Sequence, residues 1–270
     1  MRVCIALIGN PNVGKSVVFN NLTGARQHTG NWPGKTVEKK EGRYHYKGHE
    51  FEIVDLPGVY SLSAMSEDER IARDYLVATR PDVVVDILNA AQLERNLYLT
   101  LQLIELQLNL VVVLNMYDIV EARGDKIDTE RLSELLGAPV VVTTATKKKG
   151  MEELKEAILR AVPPHVLGES PANNEHAPGT ENGVDYLHYH PLHHHHGQYE
   201  RLRPPAIRYS PEIEKRVEEI IEILKDEREL LERFPPRWIA LRLLERDPDM
   251  LELVTDPDVR ERILQVRVEP

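Results

Sequence analysis

Apolar and polar positions follow two rhythms along this chain. Short, nearly continuous apolar runs fall at 2–8, 43–47, 50–55, 82–88, 110–114 and 139–143 and predict strands. Between them, apolar residues recur every three or four positions at 15–23, 66–77, 94–106, 128–136 and 150–161 and predict helices. Strands alternating with helices imply an α/β fold, an open and mostly parallel sheet with helices on both faces. Ligands in such folds bind beyond the carboxyl ends of the strands. The pattern breaks at Pro163-Pro164, which should stop the last helix. Residues 165–208 lose all apolar periodicity and read as a His/Pro-rich linker or insertion. Helical spacing returns at 209–270, with Ile213, Val217, Ile220, Ile221 and Leu224 on one face, a short helix around Trp238 and a third over 257–266. The expected organisation is a domain at 1–164, the linker, and a small all-α domain at 209–270 that packs on itself. The charged run 225–229 reads as a solvated face of it.

The chemistry-bearing residues lie where strands end. Gly9-Asn10-Pro11-Asn12-Val13-Gly14-Lys15-Ser16 follows the first apolar run and fits the phosphate-loop pattern G-x-x-x-x-G-K-[ST]. Its glycines let backbone N–H groups face phosphate oxygens. Lys15 can reach the β- and γ-phosphates, Ser16 can ligate Mg²⁺, and the helix that follows adds a positive dipole end. Asp55 and Gly58, at the end of the run 50–55, suit a water-mediated Mg²⁺ contact and a backbone N–H on the γ-phosphate. Asn115-Met116-Tyr117-Asp118 resembles the N-K-x-D guanine motif. A carboxylate there accepts from guanine N1–H and N2–H₂, a pair that adenine lacks. Met116 replaces the usual Lys and can lay an unbranched apolar chain along the base. Thr144-Ala145-Thr146 matches the base-backing loop. The four motifs in this order define a P-loop GTPase (Ras-like) pattern, with GTP/GDP and Mg²⁺ as ligands. Thr36 is the candidate switch hydroxyl for Mg²⁺, with Thr29 second.

Composition narrows the partners. The 270 residues carry a formal net charge of −10, which argues against a nonspecific nucleic-acid binder. The single Cys4 lies inside the first apolar run and reads as a buried core thiol. No apolar stretch reaches membrane-spanning length and the N-terminus enters a strand directly, so the chain reads as soluble and cytosolic. His176, His188, His190 and His193 to His196 make a metal-sensing role for the linker an alternative reading. His28, His45, His49 and His165 have no ligand spacing.

The stretches between the motifs carry a more specific resemblance. Residues 30–38 (GNWPGKTVE), 55–74 with Tyr60-Ser61-Leu62-Ser63, 93–99 (LERNLYL) and 237–245 (RWIALRLLE) resemble the N-terminal cytosolic region of the ferrous iron transport protein B family. The resemblance implies a G domain followed by a helical dissociation-inhibitor domain, coupled to a membrane permease domain that this chain does not contain. It also implies GTP hydrolysis that regulates ferrous iron uptake at the cytosolic face of the membrane, with self-association as an option. Asn12 stands where related GTPases bind K⁺ beside the phosphates, so K⁺ stimulation is expected, with Asn12, Lys15, Thr36 and Gly58 as the catalytic set. Val59 follows Gly58 where many small GTPases carry a water-orienting Gln, so hydrolysis should be slow. Asn89 replaces the family's usual Asp. An RNA- or ribosome-associated GTPase shares the Asn-containing loop, but 211–270 is rich in Glu and lacks an RNA motif.

Overall fold

The computed structural model describes residues 2–24, 26–63, 65–168 and 207–267. The linker histidines from His176 to His196, and the metal-sensing reading built on them, lie outside the described residues.

Seven strands form one sheet: β1 (Arg2–Gly9), β2 (Gln27–Asn31), β3 (Glu38–Tyr46), β4 (His49–Asp55), β5 (Val83–Asn89), β6 (Leu110–Asn115) and β7 (Val140–Val142). Their order is β2-β3-β4-β1-β5-β6-β7. From β4 to β7 every neighbouring pair is parallel, while β2 and β3 add an antiparallel hairpin edge. The central strands are apolar on both faces because helices cover both. Val3, Ile5 and Leu7 pack with Phe19, Leu154 and Ile158, which belong to α1 (Lys15–Thr23) and α6 (Met151–Ala161). Ala6 and Ile8 face the opposite core, which holds Leu76 of α2 (Glu67–Thr79) and Leu99 and Leu103 of α3 (Leu93–Glu105). Cys4 is half-buried, and its Sγ lies 3.8 Å from the Tyr75 hydroxyl. Burial pushes the thiol's pKa up, as a structural cysteine requires.

The departures from expectation have local causes. Strand β2 lies outside the predicted strands because Gln27–Asn31 has no apolar residue; all five residues are exposed and the ladder to β3 defines the strand. Strand β3 starts at Glu38 rather than 43 for the same reason. Helix α4 (Tyr117–Arg123) follows the Asn115–Asp118 motif directly, between Met116 and Gly124, both in left-handed conformation. The last helix of the first domain ends at Ala161, and Pro164 starts a single turn, α7 (Pro164–Leu167), as Pro can at a first helical position. Helix α5 (Thr129–Leu136) packs against β7.

The C-terminal part comprises α8 (Pro211–Ile223), α9 (Arg228–Arg233), α10 (Pro236–Leu244), α11 (Pro248–Leu253) and α12 (Pro257–Gln265). All but α9 open with Pro at the first turn, and Ser210, Asp247 and Asp256 cap the next N–H groups. The expected self-contained bundle is corrected by its contacts. Trp238, Ile239 and Phe234 share one continuous core with Leu99 and Leu103 of the sheet domain, because α10 lies against α3. Polar links reinforce the join. Arg70 of α2 makes a two-pronged bond to Asp249 (2.8 and 3.1 Å), Arg73 approaches the same carboxylate at 3.6 Å, and Tyr209 donates to Glu105. The charged run 225–229 is not wholly solvated either. Glu227 is buried, and its carboxylate accepts from Thr255 N, Thr255 Oγ1 and Asp256 N at 2.9–3.2 Å, tying α9 to the start of α12.

Candidate nucleotide site

The loop between β1 and α1 is shaped by backbone positions that only small or permissive residues tolerate. Gly9 has φ 155° and touches the Ile87 carbonyl so closely that a Cβ would collide with it. Gly14 has φ 86°, and a Cβ there would run into Asn115 Nδ2. Asn12 adopts φ 66°, a left-handed conformation Asn accepts better than most side chains, and is exposed. Asn10 is buried, and its Oδ1 has no hydrogen bond among the described residues. Pro11 is half-buried, Val13 buried, and Ser16 exposed in the first turn of α1.

Lys15 joins this loop to the end of β4. Its Nζ pairs with the Asp55 carboxylate and donates to Leu56 O at 2.5 Å. Both side chains are largely buried, so the ammonium and the carboxylate are held where the strand ends. Gly58 lies against the loop, with space for a Cβ only 3.3 Å from Pro11 Cα, and Val59 N donates to Gly9 O at 3.2 Å. Val59 itself is 2% exposed and belongs to the core beside Leu62. The position after Gly58 is thus spent on packing.

The described residues between Gly58 and α2 are held by side chains. Glu69 accepts from Ser61 Oγ (3.0 Å), Ser63 Oγ (3.4 Å) and Met65 N (3.0 Å), while Gln102 of α3 accepts from Leu62 N at 2.6 Å. Thr36 is exposed in a turn clamped by Trp32 N→Val37 O (3.0 Å), and Thr29 is exposed on β2. Neither makes a side-chain hydrogen bond to the phosphate loop among the described residues.

The far end of the crevice is organised by Asn115. Its Nδ2 donates to Val13 O at 2.8 Å, and its Oδ1 accepts from Thr143 Oγ1 and Ala145 N, both at 3.0 Å. One buried amide therefore ties the phosphate loop, the end of β6 and the loop after β7 together. Asn21 of α1 adds a bond to Ala145 O at 2.7 Å. Thr144 and Ala145 are buried and Thr146 exposed. Met116 has φ 59°, and its Cε lies 3.7 Å from where a Cβ on Gly14 would stand, so the thioether lines the crevice beside the phosphate loop. Asp118 enters the first turn of α4 and pairs with Lys147 at 2.8 Å, a contact that holds its carboxyl below the usual carboxylate range. Lys147 lies one residue beyond the expected Thr144–Thr146 set. Only the charge complement of Asp118 in the neighbouring loop could have signalled it. Asn89, in place of the expected Asp, caps a short 3₁₀ turn by accepting from Ala91 N at 3.0 Å.

A mostly parallel sheet with a phosphate loop after its first-sequence strand, Asp55 and Gly58 at the end of β4, and an Asn115/Asp118 pair beyond β6 define a P-loop GTPase domain. The comparisons with known proteins extend this reading along the chain. Residues 3–158 match the family described as ferrous iron transport protein B, and residues 209–269 match its cytosolic helical domain. The chain is 39% identical over 251 residues to an Fe(2+) transport protein A/Fe(2+) transporter FeoB fusion protein of Porphyromonas gingivalis, covering 93% of this chain and 26% of that protein. It is 50% identical over 163 residues to the Fe(2+) transporter FeoB of Salmonella typhimurium, covering 59% of this chain and 21% of that one. Among solved structures, a mutant S. thermophilus NFeoB bound to mGDP superposes with a TM-score of 0.76 at 33% identity, covering 98% of this chain and 88% of that one. The chain belongs to the ferrous iron transport protein B family and spans about a quarter of the length of these two transporters. Among the described residues no helix is long and apolar enough to cross a membrane.

Proposed function

We propose that this chain binds GTP and GDP in the crevice between Gly9–Ser16 and Asn115–Thr146, hydrolyses GTP slowly, and through its nucleotide state regulates ferrous iron passage by a permease region of a longer protein. The observation that carries this is the Asn115 hub, which locks the phosphate loop to the two segments that would face the base. Asp118 would accept from guanine N1–H and N2–H₂, with Met116 along the base and the Thr144–Thr146 loop behind it. Backbone N–H groups of residues 10–16 and Lys15 would spread over the phosphates, and stabilise charge that builds on the γ-phosphoryl oxygens.

The donor set fits Mg²⁺: the hydroxyl of Ser16, next in sequence to Lys15, and the carboxylate of Asp55, paired with Lys15, are hard oxygens, and Lys15 would move from Asp55 to the phosphates. Thr36 would join them once the 26–40 segment closes. Bound there, the ion would neutralise charge between the β- and γ-phosphates. The amide oxygens of Asn12 and the orphaned Asn10 Oδ1 are of the type K⁺ takes, and K⁺ would supply a second positive charge on the same side. Gly58 N–H would report the γ-phosphate. Its movement would pass through Ser61 and Leu62, held by Glu69 and Gln102, into α2, whose Arg70 and Arg73 grip Asp249 of the helical part.

Turnover of GTP against ATP, each in matched KCl and NaCl buffers, tests the reading. GTP turnover above ATP turnover, faster in KCl, is the expected result. Equal turnover of both nucleotides would refute guanine recognition, and equal rates in the two salts would remove K⁺.

A further inference from the structure

The N-K-x-D-like segment of this chain lacks its cation, since position 116 is Met. Lys147 brings a cation to Asp118 from a different loop. Its Nζ donates to Asp118 Oδ2 at 2.8 Å, with the lysine side chain 58% and the carboxylate 32% exposed.

A lysine on a mobile loop would make such a pair of little consequence, because side-chain ordering would offset the Coulomb gain. Here the loop is built. Lys147 N donates to Thr144 O at 2.9 Å and Lys148 N to Ala145 O at 3.0 Å, closing a 3₁₀ turn. Thr144 and Lys149 bridge across its ends. Gly150, at φ 79°, packs so tightly on the Val142 carbonyl that any Cβ would clash. Ala145 is pinned on both sides, its N–H to Asn115 Oδ1 and its carbonyl by Asn21 Nδ2. Lys147 therefore projects from a turn fixed to the same Asn115 that holds the phosphate loop.

Granting the guanine reading above, we infer that Lys147 is a positioning residue for base recognition: it orients the Asp118 carboxylate and sets how strongly the chain distinguishes guanine from purines lacking the 2-amino group. A carboxylate offers about four lone-pair sites. The guanine edge needs one on each oxygen, which leaves an outer lone pair of Oδ2 for Lys147. Ligand and lysine thus bind Asp118 together. The ammonium also keeps the carboxylate from rotating away from the base edge. Because the cation comes from the loop beyond β7, base recognition and the order of that loop are one event.

The test is the ratio of GDP to IDP affinity, measured by displacement of a fluorescent GDP analogue from the full chain. IDP lacks only the 2-amino group, so the ratio reads the bond to Asp118, whereas general damage to the loop weakens both nucleotides alike. Lys147→Ala should lower the GDP preference about two- to fivefold, the range set by a partly exposed ion pair. Lys147→Arg should restore it. Lys148→Gln, which removes the same charge from the same turn, should leave it in place. An unchanged ratio in Lys147→Ala would overturn the inference, and so would a rise in GDP affinity, which would make the lysine a competitor of the base. A native chain with no preference for GDP over IDP would overturn the guanine reading itself, and the inference with it.

Discussion

Asp86 offers a stability measurement whose size follows from its surroundings. The residue sits in the middle of β5, is 1% exposed, and accepts a hydrogen bond from Thr100 Oγ1 of α3 at 2.6 Å. Burial pushes its pKa from the ordinary 3.8 up to about 7, against the smaller lowering effect of the Thr100 bond. A group whose folded pKa is raised binds its proton more tightly in the folded state. Between about pH 4 and pH 7 the folded chain therefore holds a proton that the unfolded chain has released, and stability falls as pH rises through that window. At about 1.4 kcal/mol per decade of proton affinity, the full loss is roughly 4 kcal/mol. Asp86→Asn keeps an acceptor for Thr100 and cannot ionise. Its melting temperature relative to the native chain should climb with pH and level off above 7. For a chain of this size the rise is about 8–16 °C. Melts of both proteins at matched ionic strength from pH 4.5 to 8.5 give the difference, in which other titrating groups cancel. A constant difference across that range would show that Asp86 stays ionised when buried, and the argument would fail.

Two other substitutions test the joints of the molecule. Asn115→Ala removes a donor to Val13 O and an acceptor for Thr143 and Ala145, so it should cost about 3 kcal/mol in a denaturant titration and abolish tight GDP binding. Asp249→Ala removes the carboxylate shared by Arg70 and buried Arg73. It should destabilise the fold by about 1–2 kcal/mol and change GDP release measured by stopped flow; an unchanged release rate would detach the helical part from nucleotide handling.

Much of this architecture was legible because its signals are local. The apolar runs of β1, β5 and β6 are buried on both faces and carry the motifs at their ends, so strand and site were read together. The sheet's edge was not legible. Gln27–Asn31 has no alternation, and its pairing depends on a neighbour found only in the fold. The docking of α10 on α3 was hidden for a related reason. An amphipathic helix declares that it has an apolar face but not which surface covers it, so Trp238 read equally well as part of a separate bundle. Glu227 looked solvated because sequence shows charge and not the three donors that Thr255 and Asp256 bring to it. In the site, the phosphate-loop residues are read from spacing alone, whereas the contacts of Lys147 with Asp118 and of Gln102 with Leu62 exist only in the folded chain.

The β2 edge has one more consequence. Its five side chains are exposed, and the strip is held by main-chain pairing with β3 and by Gln27, whose amide donates to Asn20 Oδ1, Thr23 Oγ1 and Gly24 O at 2.8–3.0 Å. Peeling such a strip away would uncover no oily surface and leave no void, and water could satisfy each exposed amide in turn. The stretch beyond the Gln27 anchor, Thr29 included, can therefore detach and re-zip while the interior under β1 and β5 stays shut.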